Sequence, residues 1–312
     1  MVGIIILNYN NPQITIDCFE SIEKYNTAPC KYVIVDNAST DNSVEVIDRY
    51  FSERDSSRYT KFREGAVPPT ELPVISLIVA NLNTGYACGN NLGCFFVEQD
   101  ESIDKILILN NDILFIQDIV PSMADFIDTH KQVGIVGALL MEKNGEEFKY
   151  ASARKNCTIG ELFAVYAHIS SLTKKYVREH QILLKNPELL EKECIEIEIP
   201  IGACMLISKA LFKEIEYFDP HTFLYYEENI LFRKIERKGF KNYLLPHQKV
   251  IHMGGETIKT TKFSYFQEKK KSYSAYYYGM HYSGMNPLLK PLFWIVYQYH
   301  LMRLGLHYML KR

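Results

Sequence analysis

The first half of the chain is built of short apolar runs separated by amphipathic segments. "VGIIIL" (residues 2–7) is continuously apolar, as expected for a strand covered on both faces. Pro12 then opens a segment whose apolar positions, Ile14, Cys18, Phe19 and Ile22, fall at helical spacing. The pattern repeats. "YVIVD" reads as a second strand with a helix from about Asn42, "VISLIVA" as a third with a helix that turns Leu92, Phe95 and Phe96 inward, and "KILIL" as a fourth. Strands alternating with helices predict an α/β fold around a mostly parallel sheet with right-handed crossovers. Such sheets bind ligands at the carboxyl ends of their strands.

Each of these strands ends in small polar residues: "NYNNP", "DNASTDNS", "NLNTGYACGNN" and "NND". Asn, Asp, Ser and Gly make turns and helix caps, which accounts for one or two such loops. Four of them on one sheet edge are better explained by a cleft for a polar ligand. Beyond the fourth strand the pattern weakens. Residues 142–200 read as helical patches with an acidic, solvated stretch, "ELLEKECIEIEI", beside a strand, and residues 52–72 as a long polar surface excursion. From about residue 263 the chain turns rich in Tyr, Lys and other aromatic residues.

Composition narrows the class. The 312 residues are 47% hydrophobic and carry a formal charge of −2, room for one large α/β domain or two smaller ones and no sign of a nucleic-acid footprint. The seven cysteines, Cys18, Cys30, Cys88, Cys94, Cys157, Cys194 and Cys204, form no CxxC pair, which fits reduced thiols and not a disulfide scaffold or zinc site. "MVGIIILNYN" has no basic leader and its apolar run stops at Leu7, which predicts a cytoplasmic chain. No GxGxxG follows the first strand, the glycines of "GYACGNNLG" have the wrong spacing, and no Walker loop is present; a dehydrogenase or P-loop enzyme is disfavoured.

Four places carry candidate chemistry. Asp36 ends the second strand, where a carboxylate either accepts hydrogen bonds from a base or sugar or caps the following turn. Asp112 follows Asn110 and Asn111 in "ILILNNDILF"; a buried carboxylate there needs a cation or another partner, since burying a lone charge costs several kcal/mol. Glu227 and Glu228 open a predicted helix in "FDPHTFLYYEENILFRKIERKGF" with Ile230, Leu231, Ile235 and Phe240 apolar. The aromatic residues before them would raise a carboxyl pKa toward that of a general base. His252 in "VIHMGGET" stands before two glycines and is a candidate ligand.

With "NYN", "VIVDNASTDNS", "NLNTGYACGNNLG", "ILILNND", "PIGACMLISKALFKEI", the 218–240 stretch and "VIHMGG" in this order, residues 2–256 resemble the family-2 glycosyltransferases, in particular their rhamnosyltransferase-like and capsular-polysaccharide branch. The resemblance implies a glycosyltransferase A fold: a Rossmann-like, mostly parallel mixed sheet over residues 1–260. About 1–115 would be the nucleotide-binding half and 116–260 the acceptor half, with 261–312 a helical extension. It implies sugar transfer with inversion from a nucleotide-sugar donor, dTDP-rhamnose or a UDP-sugar, to an acceptor hydroxyl on a glycan or lipid-linked sugar in bacterial cell-surface polysaccharide synthesis. Carried onto this sequence, it assigns Asn8, Tyr9, Asn10, Asp36, Asn37, Gly85, Asn90, Asn91 and Asn111 to the nucleotide sugar. Asp112 and His252 fall to a Mg²⁺ or Mn²⁺ ion, and Glu227 and Glu228 to the base, with the choice between the two open.

Two departures bear on that assignment. Asn110 replaces the first acid of the Asp-x-Asp triplet, leaving one carboxylate for the metal, and the second acid of the base pair is Glu228 instead of Asp. A pyrophosphorylase would want a Gly-rich, basic loop where "NYNNP" stands; a non-catalytic nucleotide-sugar-binding partner of an assembly complex is kept open by Asn110. The C-terminal stretch 287–312 predicts a helix on which His300, Arg303, His307 and Lys311 fall within roughly 80° of one another. It would pack on the catalytic domain or in a homodimer, or lie in the plane of the inner face of the cell membrane, with Lys269, Lys270 and Lys271 adding attraction to anionic lipid.

Overall fold

The computed structural model describes residues 1–146, 152–179, 182–254 and 265–310. The alternating blocks become β1 (Val2–Asn8), α1 (Pro12–Tyr25), β2 (Cys30–Asp36), α2 (Ser43–Arg54), β3 (Tyr59–Arg63), β4 (Ile75–Val79), α3 (Tyr86–Glu98) and β5 (Lys105–Asn110). These strands pair in parallel, and the register puts Asn8 opposite Asp36 and Leu7 opposite Asn110. Their polar ends therefore open on one edge. Ile4 and Ile6 of β1 pack with Phe19, Phe51 and Met123 on one face, while Ile5 packs with Phe96 and Phe212 on the other. That two-sided burial is why the strand carries no polar alternation.

The rest comprises β6 (Ile113–Phe115), α4 (Val120–Thr129), β7 (Val133–Met141), β8 (Ala153–Arg154), α5 (Ile159–Tyr166), α6 (Ser170–Glu179), α7 (Ile182–Lys185), β9 (Ile195–Ile197), β10 (Ile199–Pro200), β11 (Cys204–Ser208), α8 (Lys209–Glu214), α9 (Glu227–Arg237), β12 (Lys241–His252), α10 (Tyr265–His281) and α11 (Lys290–Leu310). Among the described residues the main sheet runs β3-β4-β2-β1-β5-β11-β7-β12-β6, with β9 beside β12. β11 is antiparallel to both β5 and β7, and β6 to β12, so the sheet is parallel up to β5 and mixed beyond it. A separate cluster of Leu162, Tyr166, Ile230, Tyr278, Phe293 and Tyr297 ties α10 and α11 to α5 and α9.

Three expectations change. Phe95, expected inward, is 48% exposed; α3 buries Ala87, Asn90, Cys94 and Val97 instead, because Gly89 and Gly93 let it lie close against β1 and β2. The polar excursion 52–72 contains the edge strand β3, which pairs with β4. His300 does not share an outer polar stripe with Arg303. Its Nε2 lies 2.8 Å from Ser272 Oγ and its Nδ1 3.1 Å from His168 Nε2, while burial, His168 and Arg303 pull its pKa down to about 4. Lys311 lies outside the described residues. No helix among them is long and apolar enough to cross a membrane.

Candidate active site

The ends of β1, β2 and β5 form one hydrogen-bonded cluster. Asp36 is fully buried, and its Oδ2 accepts from Asn8 Nδ2 (2.7 Å) and Ser39 Oγ (2.6 Å), its Oδ1 from the Ser39 backbone N–H (2.9 Å). Asn8 Oδ1 in turn accepts from Thr15 Oγ1 (2.6 Å) and from Asn111 Nδ2 (3.3 Å). Asn10 and Asn11 take left-handed backbone angles, φ 60° and 57°, and Asn10 ties both its N–H and its Oδ1 to residues 39 and 40. Such residues tolerate that conformation better than others. Tyr9, just before Asn10, is half-buried. The cluster brings together Asn8, Asn10, Asp36 and Asn111 and fixes the three strand ends relative to one another; these buried polar groups are hydrogen-bonded as their burial demands.

The start of α3 forms the next wall. Gly85 has φ +92°, and a Cβ there would stand 2.1 Å from the Phe223 carbonyl oxygen, so only glycine lets the loop at Phe223 cross the helix end. That oxygen accepts the Tyr86 N–H at 2.9 Å. Asn37 Nδ2 donates to Gly85 O (3.1 Å) and Asn83 Oδ1 (3.2 Å), and Asn90 Nδ2 donates to Tyr86 O (3.0 Å). The remaining side-chain oxygens of Asn37 and Asn90 are buried and have no partner among the described residues. Both amides therefore spend their N–H donors on the turn at Gly85 and the first turn of α3. Asn91 differs: its amide bonds the Phe218 backbone in both directions (2.9 and 3.1 Å) and positions the 218–226 loop.

Asp112 and His252 meet because β6 pairs with the end of β12, with Ile113 opposite His252. Their side chains, 9% and 11% exposed, approach to 3.3 Å between Oδ1 and Nε2. A carboxylate and an imidazole make a small donor set. Among the described residues no three His, Cys, Asp or Glu side chains converge to complete a cage. That fits Mg²⁺ or Mn²⁺ of the kind held through one or two protein groups, with phosphate oxygens and water filling the other positions. Gly254 is described; Gly255 lies outside the described residues.

The acids of α9 approach from the other side. Tyr225 and Tyr226 precede them in the left-handed region, φ 68° and 66°, a strain on the order of 1–3 kcal/mol each that aims the first helical turn. Glu227 is 4% exposed and its Oε2 has no partner among the described residues. Burial, with the neighbouring Glu228 charge adding to it, raises its pKa to about 8. Glu228 is more open. Its Oε1 accepts the Gly202 N–H (3.2 Å) and lies 3.8 Å from Arg154 Nη2. Tyr86 Oη holds the Gly202 carbonyl at 2.5 Å, and the Asn110 N–H bonds the next residue's carbonyl, Ala203 O, at 3.0 Å. Glu228 is thereby fixed beside the Asn110–Asp112 edge. Sequence reasoning missed Ser39, Thr15, Tyr86, Arg154 and Gly202. Gly202, inside "PIGACM", left a signal, a glycine at the head of a strand, and Ser39 lies in the turn-forming "DNASTDNS" after Asp36; Arg154 left none.

An α/β sheet with its polar strand ends on one edge, a carboxylate–imidazole pair and two neighbouring acids at the start of α9 has the architecture of a glycosyltransferase A fold. The model for glycosyl transferase family 2 matches residues 3–216, and the chain belongs to that family. It is 22% identical over 227 residues to the low-salt glycan biosynthesis hexosyltransferase Agl10 of Haloferax volcanii, covering 73% of this chain and 59% of that one. To the N-acetylglucosaminyl-diphospho-decaprenol L-rhamnosyltransferase of Mycobacterium tuberculosis it is 21% identical over 232 residues, 72% of this chain and 66% of that one. The match thus spans less than two thirds of either relative. In fold it resembles the mannosyltransferase PcManGT from Pyrobaculum calidifontis, whose structure holds GDP-Man and Mn²⁺ (TM-score 0.55, 12% identity, 97% of this chain and 72% of that one).

Proposed function

We propose that the protein is an inverting glycosyltransferase that moves a sugar from a nucleotide-sugar donor to a hydroxyl of a lipid-linked glycan acceptor in polysaccharide assembly. The observation that carries the reading is the link Asn110–Ala203–Gly202–Glu228, which sets a carboxylate against the edge where Asp112 and His252 meet. Asp112 and His252 would hold the divalent cation; when bound it would stabilise charge on the departing diphosphate as a Lewis acid. Glu228, oriented by the Gly202 N–H, takes the proton of the acceptor hydroxyl. Glu227, neutral at pH 7 because it is buried, does not compete for that proton. A single displacement with the base opposite the leaving group inverts the anomeric centre.

The names of the relatives support the acceptor class, since one acts on a diphospho-decaprenol-linked sugar. We further place the enzyme against the inner face of a membrane through the outer side of α11. A thermal-shift screen of nucleotide sugars with Mn²⁺ tests the main reading: a ligand at 100 times its Kd adds about 2.7 kcal/mol of stability. The donor that stabilises should then yield product of inverted configuration by NMR. No stabilising nucleotide sugar, or retention, would overturn it.

A further inference from the structure

Between the 219–223 loop and the start of α10 lies a groove of about 460 Å³. Thr84, the neighbour of Gly85, lines one end, so the groove opens one residue from the wall assigned above to the donor sugar. Its sides are aromatic, with Phe223, Phe266 and Tyr273 among them, and its charged groups are Lys269 and Lys270. Lys270 Nζ stands 3.8 Å from the Phe223 ring centre and 4.6 Å from that of Phe266, which fixes the ammonium at the mouth. None of the described residues lining the groove is acidic.

His221 adds a directed polar group. Its Nδ1 lies 2.8 Å from Asp219 Oδ1 and its ring stacks on Tyr277 (4.8 Å between centres, 17° between planes), while its side chain stays 60% exposed. Asp219 is buried; it also accepts from Tyr282 Oη (2.6 Å) and from the His221 N–H (2.9 Å). Desolvation pushes its carboxyl up, but those hydrogen bonds outweigh it and hold it below the usual range, so it stays ionised. An ionised Asp219 fixes the His221 proton on Nδ1 and turns Nε2 outward as a hydrogen-bond acceptor.

Two ammonium groups over aromatic faces match an anion carried next to a sugar ring and mismatch a neutral glycan. We propose that this groove is the phosphate subsite for the acceptor. The acceptor would be a sugar joined to phosphate or diphosphate, its ring on Phe223 and Tyr273, its phosphate oxygens on Lys269 and Lys270, and a sugar hydroxyl donating to His221 Nε2. This rests on the transferase reading for the hydroxyl that reacts, but the binding can be measured without it.

The test uses the full chain, free of nucleotide and in EDTA, so that the metal edge cannot capture phosphate. Calorimetry is run with three probes: glucose 1-phosphate, citronellyl diphosphate and methyl glucoside. Both phosphorylated probes, or citronellyl diphosphate alone, should bind. Lys269→Ala/Lys270→Ala should weaken them at least tenfold with an unchanged melting temperature, and Lys269→Arg/Lys270→Arg should restore most of the affinity. Binding of glucose 1-phosphate alone, with the same loss, would support the subsite and assign it to soluble sugar phosphates. Methyl glucoside binding as tightly as the phosphates, or affinity unmoved by loss of both lysines, would overturn it. If no nucleotide sugar stabilises the protein while the lysine dependence holds, the transferase reading fails and the subsite stands.

Discussion

The Gly202 backbone N–H donates to Glu228 Oε1 over 3.2 Å, and a Cβ at Gly202 would stand 2.8 Å from that same oxygen and 3.2 Å from Tyr86 Oη. The strand end and the carboxylate are therefore fitted to each other without room for a methyl group. Gly202→Ala should push Glu228 off its position while leaving β11 intact. A shift on the order of 1 Å in a catalytic group costs on the order of 10² in rate. We expect kcat to fall by about that factor and the donor dissociation constant to stay within about threefold, read by initial rates and by titration of the nucleotide sugar. A kcat at the parent level would separate Glu228 from the chemistry.

Glu228→Gln keeps the shape and the Gly202 hydrogen bond but removes the base. Turnover should drop about 10²–10⁴-fold, the usual range for loss of a general base, with donor affinity nearly unchanged. If Glu227→Gln gave the same loss and Glu228→Gln did not, the role would belong to Glu227.

Asp112→Asn should nearly abolish transfer and remove the gain in melting temperature that Mn²⁺ gives in the presence of a nucleoside diphosphate. The variant should otherwise melt close to the parent, because β6 is anchored through its backbone, with the Met253 N–H on Asp112 O at 2.9 Å. Activity near the parent level in metal-limited buffer would exclude a metal role for this carboxylate.

How much of this was legible in the sequence follows from where the information lies. β1, β2, β4 and β5 are buried on both faces, so their continuous apolar runs announce them, and each loop beyond them is polar because it faces the cleft. Asp36, Asn8 and Asn111 could be placed on that edge from strand order alone. The contact of Asp112 with His252 could not, for it depends on β6, three residues long and separated from β5 by two residues. Phe95 was misplaced because hydrophobic spacing ignores glycine: Gly89 and Gly93, with no side chain to count, mark the face that lies closest to the sheet. Arg154 acts through a tertiary contact that no local pattern encodes.

Glu227 makes stability depend on pH. Its pKa is about 8 in the folded protein, against an ordinary value near 4.5. Between those values the folded state binds more protons than the unfolded state, so stability falls as pH rises. The loss begins above about pH 4.5 and is complete above about pH 8. Glu227→Gln removes the ionisable group and should flatten that slope. The variant should gain melting temperature over the parent on going from pH 5 to pH 8. Parallel curves for the two proteins across this window would mean that Glu227 is not held neutral by its surroundings.

α11 presents two unlike sides. Phe293 and Tyr297 are buried against α5 and α10, whereas Leu292, Ile295, Tyr299, Met302, Leu306 and Met309, spaced three and four residues apart, are 43–73% exposed. From Leu292 to Met309 this makes an apolar stripe about 26 Å long, with Trp294 half-exposed beside it. A stripe of that size on a surface marks a lipid or protein contact. Lys290, Arg303 and the lysines at the start of α10 supply positive charge for an anionic leaflet. Deleting the helix would also uncover Tyr166 and Tyr278, so point changes on the outer side make the cleaner test. Leu292→Glu/Ile295→Glu/Met302→Glu should leave donor binding unchanged. In flotation with anionic vesicles the parent should rise with the lipid, less so at high salt, and the triple variant should stay at the bottom of the gradient. If the parent also stays down and light scattering shows a dimer that the triple variant breaks, the stripe belongs to a second copy of the chain and the membrane reading falls.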